Sequence, residues 1–132
     1  MLKLILAAML TTSPAEIPPD AWSCNNQIEV WCTGDSCAAA EEDETTPLDI
    51  WASRDGRFAV CAYTGCWEGD AELVETNGRL LWAADNVEFL SGRGGANVDV
   101  TLVIIEKEGV GFVRAGGFAT PLLCTRAAPD VR

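Results

Sequence analysis

Apolar and polar residues alternate with a period of two through most of this chain, and turn signals cut the alternation into short pieces. In residues 98–105 (VDVTLVII), Val98, Val100, Leu102 and Ile104 fall on one face, which predicts the longest strand. Residues 71–76 and 79–84 flank Asn77-Gly78, and residues 48–53 and 57–62 flank Asp55-Gly56. Both dipeptides tolerate the positive φ that a type I′ turn needs at its two central positions, so two hairpins are expected. Gly109 turns the chain into a strand at 110–115. Residues 118–124 read as the last strand, with Pro121 marking an edge or bulge because it has no N–H to donate. Earlier, residues 27–32 alternate too, with Ile28, Val30 and Cys32 on one face and Glu29 and Trp31 on the other. Gly34-Asp35 offers a two-residue turn, and residues 37–44 read as strand followed by loop.

No segment carries apolar residues at helical spacing with caps. Short strands at close spacing predict an all-β fold, a small antiparallel up-and-down barrel or sandwich of about eight strands. A closed barrel has no exposed edge, which suits a monomer. Calycin-like barrels are the nearest architecture, an analogy of fold alone.

The opening residues break the pattern. Lys3, the apolar run LILAAML and the small residues Ser13 and Ala15 match the three parts of an export signal, so residues 1–15 are expected to be a signal peptide. The run is too short to cross a bilayer, which takes about 20 apolar residues. Residues 16–132 then form a single extracytoplasmic β-domain, entered through the stiff segment EIPPD. The expected location is the bacterial periplasm or the medium, with no insertion into the membrane.

Six cysteines in an exported chain of this size predict a disulfide framework. Two schemes compete. If Gly34-Asp35 closes a hairpin, Cys32 and Cys37 face each other as a close cross-strand pair. Cys61 and Cys66 share that spacing, which leaves Cys24 for Cys124. The alternative is a ladder between neighbouring strands, Cys32 with Cys61 and Cys37 with Cys66. Neither C-x4-C unit has the spacing of a redox-active or zinc-binding motif.

Charge and composition narrow the chemistry. The formal net charge is −11, with 20 acidic residues against 9 basic ones. Such a field repels nucleic acid and favours a basic protein partner. Histidine is absent, which excludes Ser-His-Asp and Cys-His catalysis and the common His-containing zinc sites. No catalytic residue, metal or cofactor is expected. The acidic run from Glu41 to Glu44 lacks the spacing of a calcium loop and reads as a solvated segment.

Two features are candidates for binding. Trp31 and Trp67 are the tryptophans expected to line a cleft for a sugar or another ring-bearing ligand, the alternative being core packing. In the loop SGRGGAN, Gly92, Gly94 and Gly95 surround Arg93. The glycines allow close backbone approach, and Arg93 can pair bidentately with a carboxylate or phosphate, or the loop can plug a partner's cleft.

These residues point to a non-enzymatic exported binding or interaction module. Its general plan is similar to that of the small periplasmic β-barrel lysozyme inhibitors, acidic, exported and disulfide-tied, with Ser91-Gly92 as a local echo. That resemblance implies inhibition of a basic secreted enzyme such as a lysozyme. A structural envelope component without ligand, or a small carboxylate-dependent hydrolase, are the other readings.

Overall fold

The structure, a computed structural model, describes residues 20–90 and 96–126. The leader, residues 1–15, and the loop residues Gly92, Arg93, Gly94 and Gly95 lie outside these. Twelve strands and one 3₁₀ turn make up the described chain. In order they are β1 (Trp22–Asn25), β2 (Val30–Cys32), β3 (Cys37–Ala39), the 3₁₀ turn (Glu42–Glu44), β4 (Asp49–Ala52), β5 (Arg57–Ala62) and β6 (Gly65–Asp70). There follow β7 (Glu72–Thr76), β8 (Arg79–Val87), β9 (Phe89–Leu90), β10 (Val98–Ile105), β11 (Val110–Ala115) and β12 (Phe118–Arg126).

All pairings are antiparallel, and the sheet runs β7-β8-β10-β11-β12-β1-β4-β5-β6-β9, with the β2–β3 ribbon attached to β12. It curls into a half-barrel. The two ends of this path are joined by the chain itself, because β6 runs into β7 through Ala71 and β8 runs into β9 through Glu88. The expected all-β, up-and-down, disulfide-stapled fold is present, but with twelve strands rather than about eight. The surplus has a physical origin. One long hairpin bends in the middle of both arms, so that each arm counts as two strands, and β1 hands over to β2 along β12.

Turn chemistry decides the hairpins. Asn77 and Gly78 sit at φ 49° and 74°, the left-handed pair of the expected type I′ turn. The Asp55-Gly56 connection differs from the expected two-residue turn. Gly56 N–H donates to Ser53 C=O at 3.1 Å, Ser53 N–H donates to Arg57 C=O at 2.9 Å, and Gly56 alone is left-handed, at φ 97°. This is the three-residue pattern with a glycine bulge. Asp55 explains the choice: its carboxylate accepts the Ser53 hydroxyl, the Arg57 N–H at 3.0 Å and the Arg57 Nε–H at 2.7 Å.

Alternation then builds the core. Val100, Leu102 and Ile104 are buried as expected, with Leu80, Trp82, Phe58, Val60, Ile50 and Val113 around them. Burying side chains of this size stabilises the fold by about 1.5–3 kcal/mol each. The indole of Trp82 donates to Ser53 C=O at 2.8 Å, so its one polar atom is satisfied inside. Residues 27–32 depart from the expected pattern. Ile28 is 49% exposed, whereas Glu29 is buried. Polar bonding overrides hydropathy here. Asn26 bonds the Ile28 and Thr46 carbonyls and accepts from Leu48 N–H, while Glu29 accepts from Thr46 N–H at 2.7 Å.

The disulfides are Cys24–Cys124, Cys32–Cys37 and Cys61–Cys66, the local scheme rather than the ladder. Each joins residues paired in register, and Thr33 N–H donates to Ser36 C=O at 2.9 Å beside the second. Cys24–Cys124 passes through the core, and Gly111 makes its room: a Cβ there would lie 2.7 Å from Val103 O and 3.0 Å from Cys124 Sγ.

Removing Cys24–Cys124 as a double serine variant should lower stability by about 4–5 kcal/mol, against about 2 kcal/mol for either short loop. Denaturant titration of the three double variants checks that order. A second expectation concerns acid. The Ser53 hydroxyl, and after it the Arg57 N–H, hold the Asp55 carboxyl down at about 2. A lowered carboxyl pKa adds stability above its unfolded value, and that part is lost as pH falls. Asp55→Asn should therefore flatten the stability profile between about pH 4 and pH 2 in urea melts.

Candidate functional site

Three surfaces carry the tryptophans and the apolar residues left outside the core. The first holds both sequence candidates. Trp31 on β2 and Trp67 on β6 are brought to one region, but Phe118 fills the space between them. Ring centroids lie 4.3 Å apart for Trp31–Phe118, 6.4 Å for Phe118–Trp67 and 4.8 Å for Trp67–Phe89. The expected cleft is thus a stack of four rings running inward from the surface. Trp67 is buried, and Trp31 remains 40% exposed.

Trp31 is held from three sides. Its Nε1–H donates to Glu29 Oε2 at 2.5 Å, Phe118 lies against one part of the ring, and the other part covers Gly117. A Cβ at Gly117 would stand 2.1 Å from the indole, so only glycine admits the ring. Burial pulls the Glu29 carboxyl upward, but the bonds from Thr46 and Trp31 outweigh it and leave the pKa below the usual value. Arg114 closes the rear of this corner, donating to the carbonyls of Cys32 at 3.0 Å and Gly117 at 3.3 Å.

The second surface is the outer face of β7, β8, β10, β11 and β12. Registers place Val74, Leu81, Val103, Phe112 and Pro121 in one straight row across the five strands. The next row ends in Ile105, Val110 and Leu123. None of these points into the core; Val74 is 51%, Phe112 41% and Leu123 47% exposed. A pocket of about 190 Å³ lies at its edge, between Ile28, Val110, Pro121 and Leu123. Exposed Glu72, Asp85, Asp99 and Glu108 stand at the ends of these strands and their turns. Single exposed apolar residues are ordinary, but a contiguous apolar face marks an interaction surface.

The third is a groove of about 340 Å³ over β5 and β6, lined by Trp51, Arg57, Glu68, Gly69, Asp70 and Leu90, with Phe58 at its base. Sequence reasoning passed over Trp51. The signal was present, because Ile50 and Ala52 face the core and leave Trp51 on the outer face between them. Glu42–Glu44, the acidic run, forms the exposed 3₁₀ turn. Among the described residues no group of three or more carboxylate or thiol side chains is placed to hold a metal ion.

Comparison with known protein families, with curated proteins and with solved structures finds no match, so geometry alone defines the class: a disulfide-stapled antiparallel half-barrel with an apolar outer face. Three disulfides fit an oxidising compartment. Among the described residues no helix is long and apolar enough to cross a membrane.

Gly117→Ala should expel the Trp31 ring and abolish its near-ultraviolet dichroism while far-ultraviolet signal persists. Acid should loosen the same clamp. The stability that Glu29 contributes is complete above the ordinary glutamate range near pH 4.3 and is lost as pH falls below it. Glu29→Gln should remove this acid limb from the Trp31 fluorescence titration.

Proposed function

We propose that the protein is a non-enzymatic, extracytoplasmic binding module whose partner is a basic protein docked on the outer face of β7, β8, β10, β11 and β12. The observation that carries this reading is the apolar row from Val74 to Pro121, exposed on an otherwise strongly acidic molecule. Apolar residues at the centre of an interface supply most of its affinity, and charges around it supply steering and choice of partner. Glu72, Asp85, Asp99 and Glu108 around this face, within a chain of net charge −11, favour a partner whose apolar patch is ringed by lysine and arginine.

The concrete form of this reading is inhibition of a basic secreted enzyme such as a lysozyme, in the periplasm or the medium, after export directed by residues 1–15. The stapled sheet supports it physically. A face fixed by neighbouring strands loses little conformational freedom on docking, so little of the contact energy is spent on ordering. No nucleic acid and no membrane insertion enter the proposal, and the protein acts as a monomer that meets a different chain.

The test is titration against c-type lysozyme, followed by calorimetry and by residual enzyme activity. Phe112→Glu, in the middle of the row, should weaken binding at least tenfold and leave the melting temperature within a few degrees. Raising salt should slow association more than it speeds dissociation. Unchanged affinity in Phe112→Glu and Leu123→Glu would remove the face from the proposal.

A further inference from the structure

We propose that the groove over β5 and β6 is a saccharide site, in which a pyranose ring stacks on Trp51 and hydrogen-bonds with Arg57, Glu68 and Asp70. This site lies on a different arc of the sheet from the apolar face and does not depend on it.

Its shape comes from small residues. Trp51, Ala59 and Glu68 stand in one outward row across β4, β5 and β6. Ala59 is only 1% exposed although it faces outward, so the larger side chains on either side close over it. Gly69 is paired with Phe58, and a Cβ there would lie on the inner side, 3.9 Å from Phe58 Cε1. It follows Trp67 at the period of the strand and so belongs to the inner row, and on the outer side its bare backbone leaves the groove floor open. The open space, about 340 Å³, lies beside this row, bounded by Trp51, Glu68, Arg57, Asp70 and Leu90.

The chemistry of the walls then selects the ligand. Arg57 and Asp70 are paired directly across β5 and β6, yet they form no ion pair. Arg57 gives its Nε to Asp55 instead, at 2.7 Å, and its terminal nitrogens have no partner among the described residues. Glu68 and Asp70 likewise have no ion-pair partner among the described residues. The groove therefore holds a flat, half-exposed indole, free donors and free acceptors within the reach of one small ring. An apolar ligand would cover the Glu68 and Asp70 carboxylates without giving them a partner, which is unfavourable. An anion would meet two carboxylates. A polyhydroxylated ring has donors and acceptors around its rim and an apolar C–H face for the indole, so it satisfies every group present.

The experiment uses the whole protein labelled with nitrogen-15. The indole N–H signal of Trp51, assigned by its loss in Trp51→Phe, is followed during titration with two tetrasaccharides. One is the neutral N-acetylglucosamine tetramer, the other its amine-bearing deacetylated form. The proposal expects the Trp51 signal to move saturably, and at least tenfold weaker binding in Glu68→Ala with an unchanged melting temperature. Binding of both sugars assigns recognition to the ring and its hydroxyls. Binding of the amine form alone assigns it to a ring whose amine meets Glu68 and Asp70. The proposal is overturned if neither sugar moves the Trp51 signal at millimolar concentration, or if Glu68→Ala binds as well as the parent. Because Phe112→Glu leaves this groove untouched, its behaviour towards sugar separates a failure here from a failure of the protein-binding face.

Discussion

The pairing of β1 with β12 is the contact on which the rest of the sheet depends. It brings together segments 100 residues apart, and Cys24–Cys124 makes the contact covalent at its centre. Every other neighbour in the meander is close in sequence and closes at small entropic cost. Only the contacts of β12 with β1 and with the adjoining β2 demand a long loop, and the first of these carries the covalent link. Once it exists, β1 can accept β4 on its other side, and the sheet curls from β7 round to β9. Gly111 belongs to the same device, since a side chain there would collide with both the sulfur bridge and the β10 backbone.

Curling separates two faces with opposite fates. The inner face is filled by Trp82, Phe58 and the aliphatic rows around them. The outer face is free to vary, and its arcs differ. Over β5 and β6 it is small and charged, which makes a groove. Over β10, β11 and β12 it is apolar, and this is the surface proposed for docking. Trp31 stands apart, carried on the β2–β3 ribbon and fixed by a buried carboxylate rather than by apolar packing. A rigid indole is entropically well suited to contact, because its side-chain freedom is already lost.

Much of the fold was legible because period-two alternation and Asn-Gly chemistry are local. Val100, Leu102 and Ile104 could be placed in the core from their spacing alone. One turn and elimination supplied one of two competing disulfide schemes, and the structure has that one. Other features were not local. Asp55-Gly56 looked like a two-residue turn, but the reach of the Asp55 carboxylate to Ser53 and Arg57 selected a three-residue loop. Glu29 was placed on the face opposite Ile28 and Val30, and nothing in the sequence showed that Thr46 and Trp31 would satisfy it in a buried position. The outer apolar row was half visible. Val103 and Ile105 break the alternation of their strand, yet their alignment with Val74, Leu81 and Phe112 needed the register. Trp31 and Trp67 were chosen for a cleft that Phe118 occupies, whereas Trp51 lines the open groove.

Cys24–Cys124 has one more consequence, which concerns damage rather than folding. Every turn between those two cysteines lies within a covalent ring. A single break in any exposed connection, such as the one around Tyr63 and Thr64, opens that ring without dividing the molecule. The two resulting segments stay attached through sulfur and remain woven into one sheet. A protein built this way can be nicked once by a protease and still present both of its outer surfaces. Two cuts in different turns are needed before any strand can leave.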